Sequence, residues 1–300
     1  MKSGEVWSVS GAALLAVLIW GGSFPVAKYA LGMIGPLTLL VVRDTLGAAV
    51  IWAGSAATEG LPRIRGRDLV PFAMLSLILT VLHQGVQIVG MLFTTATDTS
   101  WLIASSPIFV ALLARVLVAE RLIGMQWAGL GLGLFGVLII LTGADLGGSR
   151  LTGAGLGDLL IVASAVAWGG YSAMGKRLLS RYPPRTVSAY GLGLGMLLLV
   201  PIWLWQGGLR ELSGLESKGW LALFYLAVPA TAVAHWLWSL AIQRLPAGVV
   251  GVYMFLPPLV ATLISRAWLA EPLPWSTAFG GLFILAGVGL VMWRNAPKPR

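Results

Sequence analysis

Apolar runs of about twenty residues, separated by short stretches rich in glycine, proline and charge, recur along the whole chain. A helix needs about 20 such residues to cross roughly 30 Å of hydrocarbon. Ten runs reach that length, at 10–31, 36–56, 69–93, 98–118, 124–143, 156–176, 186–206, 219–242, 247–268 and 275–293. The connections carry turn-formers: Gly35-Pro36, Gly60 to Pro62, Gly147-Gly148, Pro183-Pro184, Gly207-Gly208, Pro246 and Pro272 to Pro274. They leave no room for a soluble domain. The first run continues into Pro25 and Lys28 without a convincing cleavage site, so it reads as a retained helix and not a signal peptide. The pattern predicts an all-α membrane protein with ten transmembrane helices.

Composition agrees. Over 300 residues, 58% are hydrophobic and only 10% charged, against about 25% charged in soluble proteins. A soluble surface cannot be built from that stock. The net charge of +9 would suggest a nucleic-acid partner in a soluble chain, but the Lys and Arg residues fall in short loops between apolar runs and form no basic patch. Nucleic acid is therefore excluded as a partner. The absence of Cys removes thiol catalysis, disulfides and thiolate metal sites. With the N-terminus inside, fourteen Lys and Arg lie in inner segments and five in outer ones. Positive loops are held on the cytoplasmic side, so both termini are expected there.

The chain also repeats itself. WGGSFPVAK at 20–28 matches WGGYSAMGK at 168–176 at an offset of 148. At offset 151, Pro107 maps to Pro258, Arg115 to Arg266, Glu120 to Glu271 and Gly136-Val137 to Gly287-Val288. Two halves follow, 1–145 and 150–294, with a cytoplasmic tail at 295–300. Five spans per half is odd, so the second half must enter the bilayer from the opposite side, giving a 5+5 inverted repeat. Such halves can exchange conformations around a site between them, which is the geometry of alternating access.

These residues resemble a known family. The Trp-Gly-Gly-Lys blocks, together with TTATDTSWLIASSPIFVALLARVLVAERL at 94–122 and RLPAGVVGVYMFLPPLVATLISRAWLAEPL at 244–273, are similar to the EamA-type branch of the drug/metabolite transporter superfamily. The resemblance implies a ten-helix carrier of the bacterial-type inner membrane, often an exporter of amino acids or related metabolites. The many Trp and the lack of a strongly charged cavity are closest to its amino-acid exporters, including those for aromatic ones.

Polar side chains in hydrocarbon usually face the bundle interior, and two stripes stand out. In the third span they are Thr80, His83, Gln84, Gln87 and Thr94; in the eighth, Thr231, His235 and Ser239, with Trp238 beside them. The repeat register sets Gln84 opposite His235. The stripes read either as interhelical hydrogen bonding, worth about 0.6 to 2 kcal/mol per contact, or as the lining of a central cavity. Trp20, Trp168, Trp101 and Tyr253 supply an aromatic complement, while Trp7, Trp52, Trp203, Trp205, Trp220 and Trp293 read as interface anchors. Lys28 and Lys176 end the duplicated block, as snorkelling cations or transient partners of a substrate carboxylate at each mouth. Arg115 with Glu120, and Arg266 with Glu271, read as helix-end ion pairs or gates. Arg43 and Asp44 lie inside the second span about 100° apart on the helix, so each needs another partner; Asp44 is also the one plausible proton carrier there.

Gly131, Gly133 and Gly136 spell GxGxxG within an apolar span with no preceding strand, and read as packing glycines rather than a dinucleotide site. No P-loop, HExxH or paired carboxylates occur, so no cofactor, metal or enzymatic reaction is expected. The sequence thus predicts a carrier, monomer or homodimer, that exports small amphipathic metabolites, amino acids first among them. The alternatives are a proton-coupled exporter of cationic drugs and a non-transporting scaffold or enzyme.

Overall fold

The computed structural model describes residues 3–58, 60, 63–117, 124–143, 154–244 and 253–292. Among them every regular element is a helix. In chain order these are α1 (Ser3–Leu31), α2 (Pro36–Thr58), α3 (Gly66–Gly90), α4 (Ala96–Ile103), α5 (Ser106–Leu117), α6 (Gly124–Thr142), α7 (Ala154–Leu179), α8 (Pro184–Trp205) and the short α9 (Gly208–Ser213). Then follow α10 (Ser217–Tyr225, continued by Leu226–Val233 and Ala234–Arg244), α11 (Leu256–Trp268) and α12 (Trp275–Met292). Among the described residues eight stretches are helical, long and apolar enough to cross a bilayer, and Trp275–Val291 is a shorter apolar helix. The chain is a multi-pass membrane protein. The outward faces are apolar, with Leu197, Val116 and Leu263 at least 70% exposed, while inside the bundle buried Thr and Ser stand among Leu, Ala, Val and Ile, and glycines lie at close helix contacts. Lipid tails give apolar side chains no reason to leave the surface, so close backbone approach drives the packing.

One span departs from the pattern, and another is described only in part. The run at 98–118 is two helices, because Pro107 offers no N–H to the Ile103 carbonyl. Ser106 Oγ donates to that carbonyl at 2.6 Å and Ser105 Oγ to the Leu102 carbonyl, so hydroxyls satisfy the broken turn. The run at 247–268 is described only from 253, with its helix beginning at Leu256; its start lies outside the described residues. Within α3 and α10, Ile78–Gly85 and Leu226–Val233 are wound as π-helix, which widens the turn and shifts the side chains beyond it off ideal α spacing.

The two halves pack on each other reciprocally. A Cβ on Gly129 would stand 2.7 Å from the Gly287 carbonyl oxygen, and one on Gly280 would stand 2.6 Å from that of Gly136. In the repeat register 129 corresponds to 280 and 136 to 287, so each contact is the counterpart of the other. As one helix advances its partner recedes, so α6 and α12 run antiparallel. The glycines of the false dinucleotide motif divide: Gly133 and Gly136 are packing glycines, while Gly131 faces open space. The same reciprocity joins Gly21 to Val260 and Gly169 to Phe109, and Gly47 to Thr231 and Gly195 to Thr80. In α2 and α8, Trp52 meets Tyr190 at 5.0 Å between ring centroids, and Trp203 Nε1 donates to Thr38 Oγ1 at 2.8 Å. These contacts again run antiparallel. Trp203 is therefore a buried packing residue and not the interface anchor its place in the sequence suggests, because the Thr38 hydroxyl satisfies its N–H inside the bundle.

Candidate functional site

Between the halves lies a cavity of about 590 Å³, within the range of small-molecule sites. Trp20, Ser23, Phe24 and Ala27 of α1, Arg43 of α2, and His83, Gln84 and Gln87 of α3 line one part. Trp168 and Ser172 of α7 and His235 and Trp238 of α10 line another. The broken turn between α4 and α5 faces it through Ser100, Ile103, Ala104, Ser106 and Pro107, as do Pro257 and Pro258 at the start of α11. Both prolines of the duplicated block, Pro107 and Pro258, thus reach the cavity. Their fixed offset in the sequence was the signal that could have found them.

The aromatic walls are built across the repeat. Trp20 meets His235 edge-on at 5.2 Å and Trp238 at 5.4 Å, while Trp168 meets His83 at 4.9 Å and Tyr171 at 5.3 Å. Each of the two equivalent Trp residues therefore touches a His from the other half. Trp20 Nε1 donates to the Ala230 carbonyl at 3.0 Å, a carbonyl inside the π-helical stretch of α10. His83 Nδ1 lies 3.0 Å from the Ser164 carbonyl oxygen and 2.9 Å from Ser164 Oγ. A carbonyl only accepts, so in the neutral ring the proton sits on Nδ1 and Nε2 is left as an acceptor. Ser164 was missed in the sequence, where it is one small residue in an Ala-Ser-Ala stretch.

Arg43 differs most from its place in the sequence reading. Its Nε donates to Thr231 Oγ1 at 3.1 Å and lies 3.6 Å from Asp44 Oδ1. Asp44 thus draws on Arg43 itself, although neighbouring helical residues were expected to seek separate partners. Asp44 is fully buried and absent from the cavity wall, and among the described residues no donor bonds to either of its oxygens. Arg43 does line the cavity.

Other expected residues lie elsewhere. Trp101 is 5% exposed, donates to Thr262 Oγ1 at 3.0 Å and packs against Gly281, so it is not part of the described lining. Tyr253 packs beside Ala13, Ala241 and Trp238, also outside that lining. Thr80 bonds back to the Ser76 carbonyl, which turns it towards α8. Lys28 Nζ donates to the carbonyls of Met91 and Thr94, at the C-terminal end of α3. Cations suit a helix C-terminus, where carbonyls lack partners.

Glu271 does not pair with Arg266, which is exposed. It accepts from Ala96 N–H at 2.9 Å, Thr97 N–H at 3.0 Å and Thr97 Oγ1 at 2.8 Å, capping the N-terminus of α4. The reason is the end of α11. Ala270 adopts φ 53° and Glu271 N–H donates to the Ser265 carbonyl, a left-handed helix stop that turns the next side chain back into the bundle. Arg115 is exposed; Glu120 and the side chain of Lys176 lie outside the described residues.

With this geometry in hand, comparisons with known proteins are specific. The model of the EamA-like transporter family matches twice, at residues 7–142 and 155–293. An "Uncharacterized transporter" of Archaeoglobus fulgidus is 30% identical over 92% of this chain and 94% of its own. A "Probable terminal-alkyne amino-acid exporter" of Streptantibioticus cattleyicolor is 29% identical over 99% of this chain and 96% of its own. A "Probable amino-acid metabolite efflux pump" of Escherichia coli is 26% identical over 95% and 96%. A protein of known crystal structure has the same fold, with a TM-score of 0.67 and 22% identity over 96% of this chain and 97% of that one. Two copies of one family model span nearly the whole chain and fall on the halves that pack reciprocally around the cavity: the chain belongs to the EamA-like transporter family and is a transporter, not an enzyme.

Proposed function

We propose that the chain is an inner-membrane secondary carrier that exports small amphipathic metabolites, chiefly amino acids including aromatic ones, by alternating access. It works as a monomer or homodimer, without a cofactor. Ten helices, five in each of the halves 1–145 and 150–294, cross the bilayer in opposite senses, with both termini and the tail 295–300 in the cytoplasm. The antiparallel run of the equivalent helices α6 and α12 supports the inversion. In this orientation the end tied together by Lys28 and Glu271 faces outward, and the end of the cavity near Gln126 and Val291 faces the cytoplasm.

One observation carries the substrate reading: the cavity is walled by Trp20, Trp168 and Trp238 and edged by His and Gln. Aromatic faces take an apolar side chain, and the few polar groups orient the rest of the solute. The names borne by the relatives from S. cattleyicolor and E. coli point to the same class. Counterflow in proteoliposomes against a panel of amino acids, nucleosides and organic cations tests the reading. It predicts uptake of labelled phenylalanine into vesicles preloaded with phenylalanine or tryptophan, and none with nucleosides; a response to cations alone would overturn it.

A second reading, proton-coupled export of cationic drugs, rests on Asp44, whose buried oxygens accept no hydrogen bond. It requires Asp44→Asn to abolish flux driven by a pH gradient. Against it, Asp44 does not line the cavity, whereas Arg43 does.

A further inference from the structure

Three residues of the cavity wall carry polar atoms that the packing of the bundle leaves unused. The first is Arg43. Its Nε is committed to Thr231 and Asp44, yet among the described residues nothing hydrogen-bonds to its two Nη groups. The side chain is 13% exposed, at the cavity wall. The second is Gln84, 3% exposed and lining the same cavity, whose Oε1 has no donor among the described residues. The third is His83, whose Nδ1 is held by Ser164, leaving Nε2 as the acceptor of the neutral ring.

A buried polar group without a partner is costly unless a ligand supplies one. The two kinds of vacancy are chemically opposite. Arg43 offers two parallel N–H donors on a fixed cation, the fork that matches a carboxylate. Gln84 Oε1 and His83 Nε2 offer acceptors, which match an ammonium group. Arg43, Gln84 and His83 all line the one cavity, so the donor and acceptor groups belong to one site. Asp44 balances the charge of Arg43, so the wall as a whole is close to neutral. It is suited to a solute that is itself neutral overall but carries separated charges.

We infer that the cavity recognises the α-amino-acid backbone as a zwitterion, with the Arg43 guanidinium on the carboxylate, Gln84 Oε1 and His83 Nε2 on the ammonium, and the Trp walls on the side chain. This rests on the proposal that the cavity holds the transported solute, and it goes beyond it. The backbone of the solute, and not its apolar part alone, decides what enters. Arg43 is a specificity-determining residue and not only half of a structural ion pair.

The test is direct binding to purified protein in detergent, followed through intrinsic Trp fluorescence, with three ligands of one shape: L-phenylalanine, 2-phenylethylamine without the carboxylate, and 3-phenylpropionate without the amine. A site built to pair both groups rejects an analogue that lacks either, so each analogue is expected to bind at least about tenfold more weakly than phenylalanine. In R43Q/D44N, made as a pair so that no buried carboxylate is stranded, 2-phenylethylamine should bind as well as phenylalanine. In Q84M the penalty for 3-phenylpropionate should disappear while that for 2-phenylethylamine remains. Equal binding of the three ligands to the wild type overturns the inference, as does no binding of phenylalanine or an R43Q/D44N protein that keeps its preference. If the double variant does not fold, the wild-type series alone decides. Binding is read apart from flux, so selective binding without counterflow would sink the transport proposal and leave this inference standing.

Discussion

Glu271 and Thr97 stand 174 residues apart in the chain, yet the carboxylate accepts both the backbone N–H and the hydroxyl of Thr97. A residue of the second half thus caps a helix of the first. Lys28 does the complementary work beside it, donating to carbonyls where α3 ends. One end of the bundle is therefore tied together by charges set at helix termini of matching polarity.

Replacing Glu271 by Ala strands the Ala96 and Thr97 N–H groups. Loss of a helix cap costs about 0.5 to 2 kcal/mol, so thermal unfolding in detergent should begin measurably lower. Arg266→Ala, at an exposed position, should leave the transition where it is. A larger effect at Arg266 would restore the Arg266–Glu271 pairing that the sequence suggests.

Gly21 and Gly170 occupy the two copies of one motif but differ in surroundings. A Cβ at Gly21 would lie 2.6 Å from Val260 Cβ, whereas one at Gly170 meets nothing within 4 Å. Gly21→Val should lower stability by about 1 to 3 kcal/mol or prevent a monodisperse preparation, and Gly170→Ala should be neutral. Size-exclusion profiles and melting curves separate the two outcomes.

Trp101 and His83 should part company in kinetics. Trp101→Phe removes the donor to Thr262 and is expected to cost about 1 kcal/mol of stability, with the half-saturating substrate concentration unchanged. His83→Ala removes a group that lines the cavity, so it should raise that concentration while membrane insertion is retained. Proteoliposome uptake over a range of concentrations gives both values.

Ala270 holds a left-handed conformation, φ 53°, that glycine adopts without strain. Ala270→Gly should therefore stabilise the protein by about 0.5 to 1 kcal/mol, read as a higher melting temperature with counterflow unchanged. A lower temperature would mean that the turn is held by something other than backbone conformation.

That the chain is a multi-pass helical bundle with an internal repeat was legible because hydrocarbon imposes a length and duplication leaves a fixed offset, and most of the residues expected in a cavity do line one. Trp101 and Tyr253 were misplaced because helical spacing in the sequence does not tell which face of a helix turns to a neighbour. The Pro107 break and the π-helical stretches change the angular position of everything beyond them. Arg43 was read as a charge inside a helix in need of another partner, but that partner could not be named, since Thr231 lies 188 residues away and only folding brings them together. Glu271 was assigned to its near neighbour Arg266 for the same reason: sequence shows proximity along the chain, and the left-handed turn at Ala270 overrides it.

Alternating access depends on a void that opens to one side and then the other. The chain has no native Cys, so single cysteines can be placed without further changes at Ala27, by the end that Lys28 and Glu271 tie together, and at Ala111, on the wall towards the other end. Their reaction with a membrane-impermeant thiol reagent, with and without saturating phenylalanine, is the most direct measurement. Alternating access predicts labelling of Ala27→Cys from the outside only and of Ala111→Cys from the inside only, with substrate moving the two rates in opposite directions. Both sites labelled from one face, or two rates that rise and fall together, would contradict it.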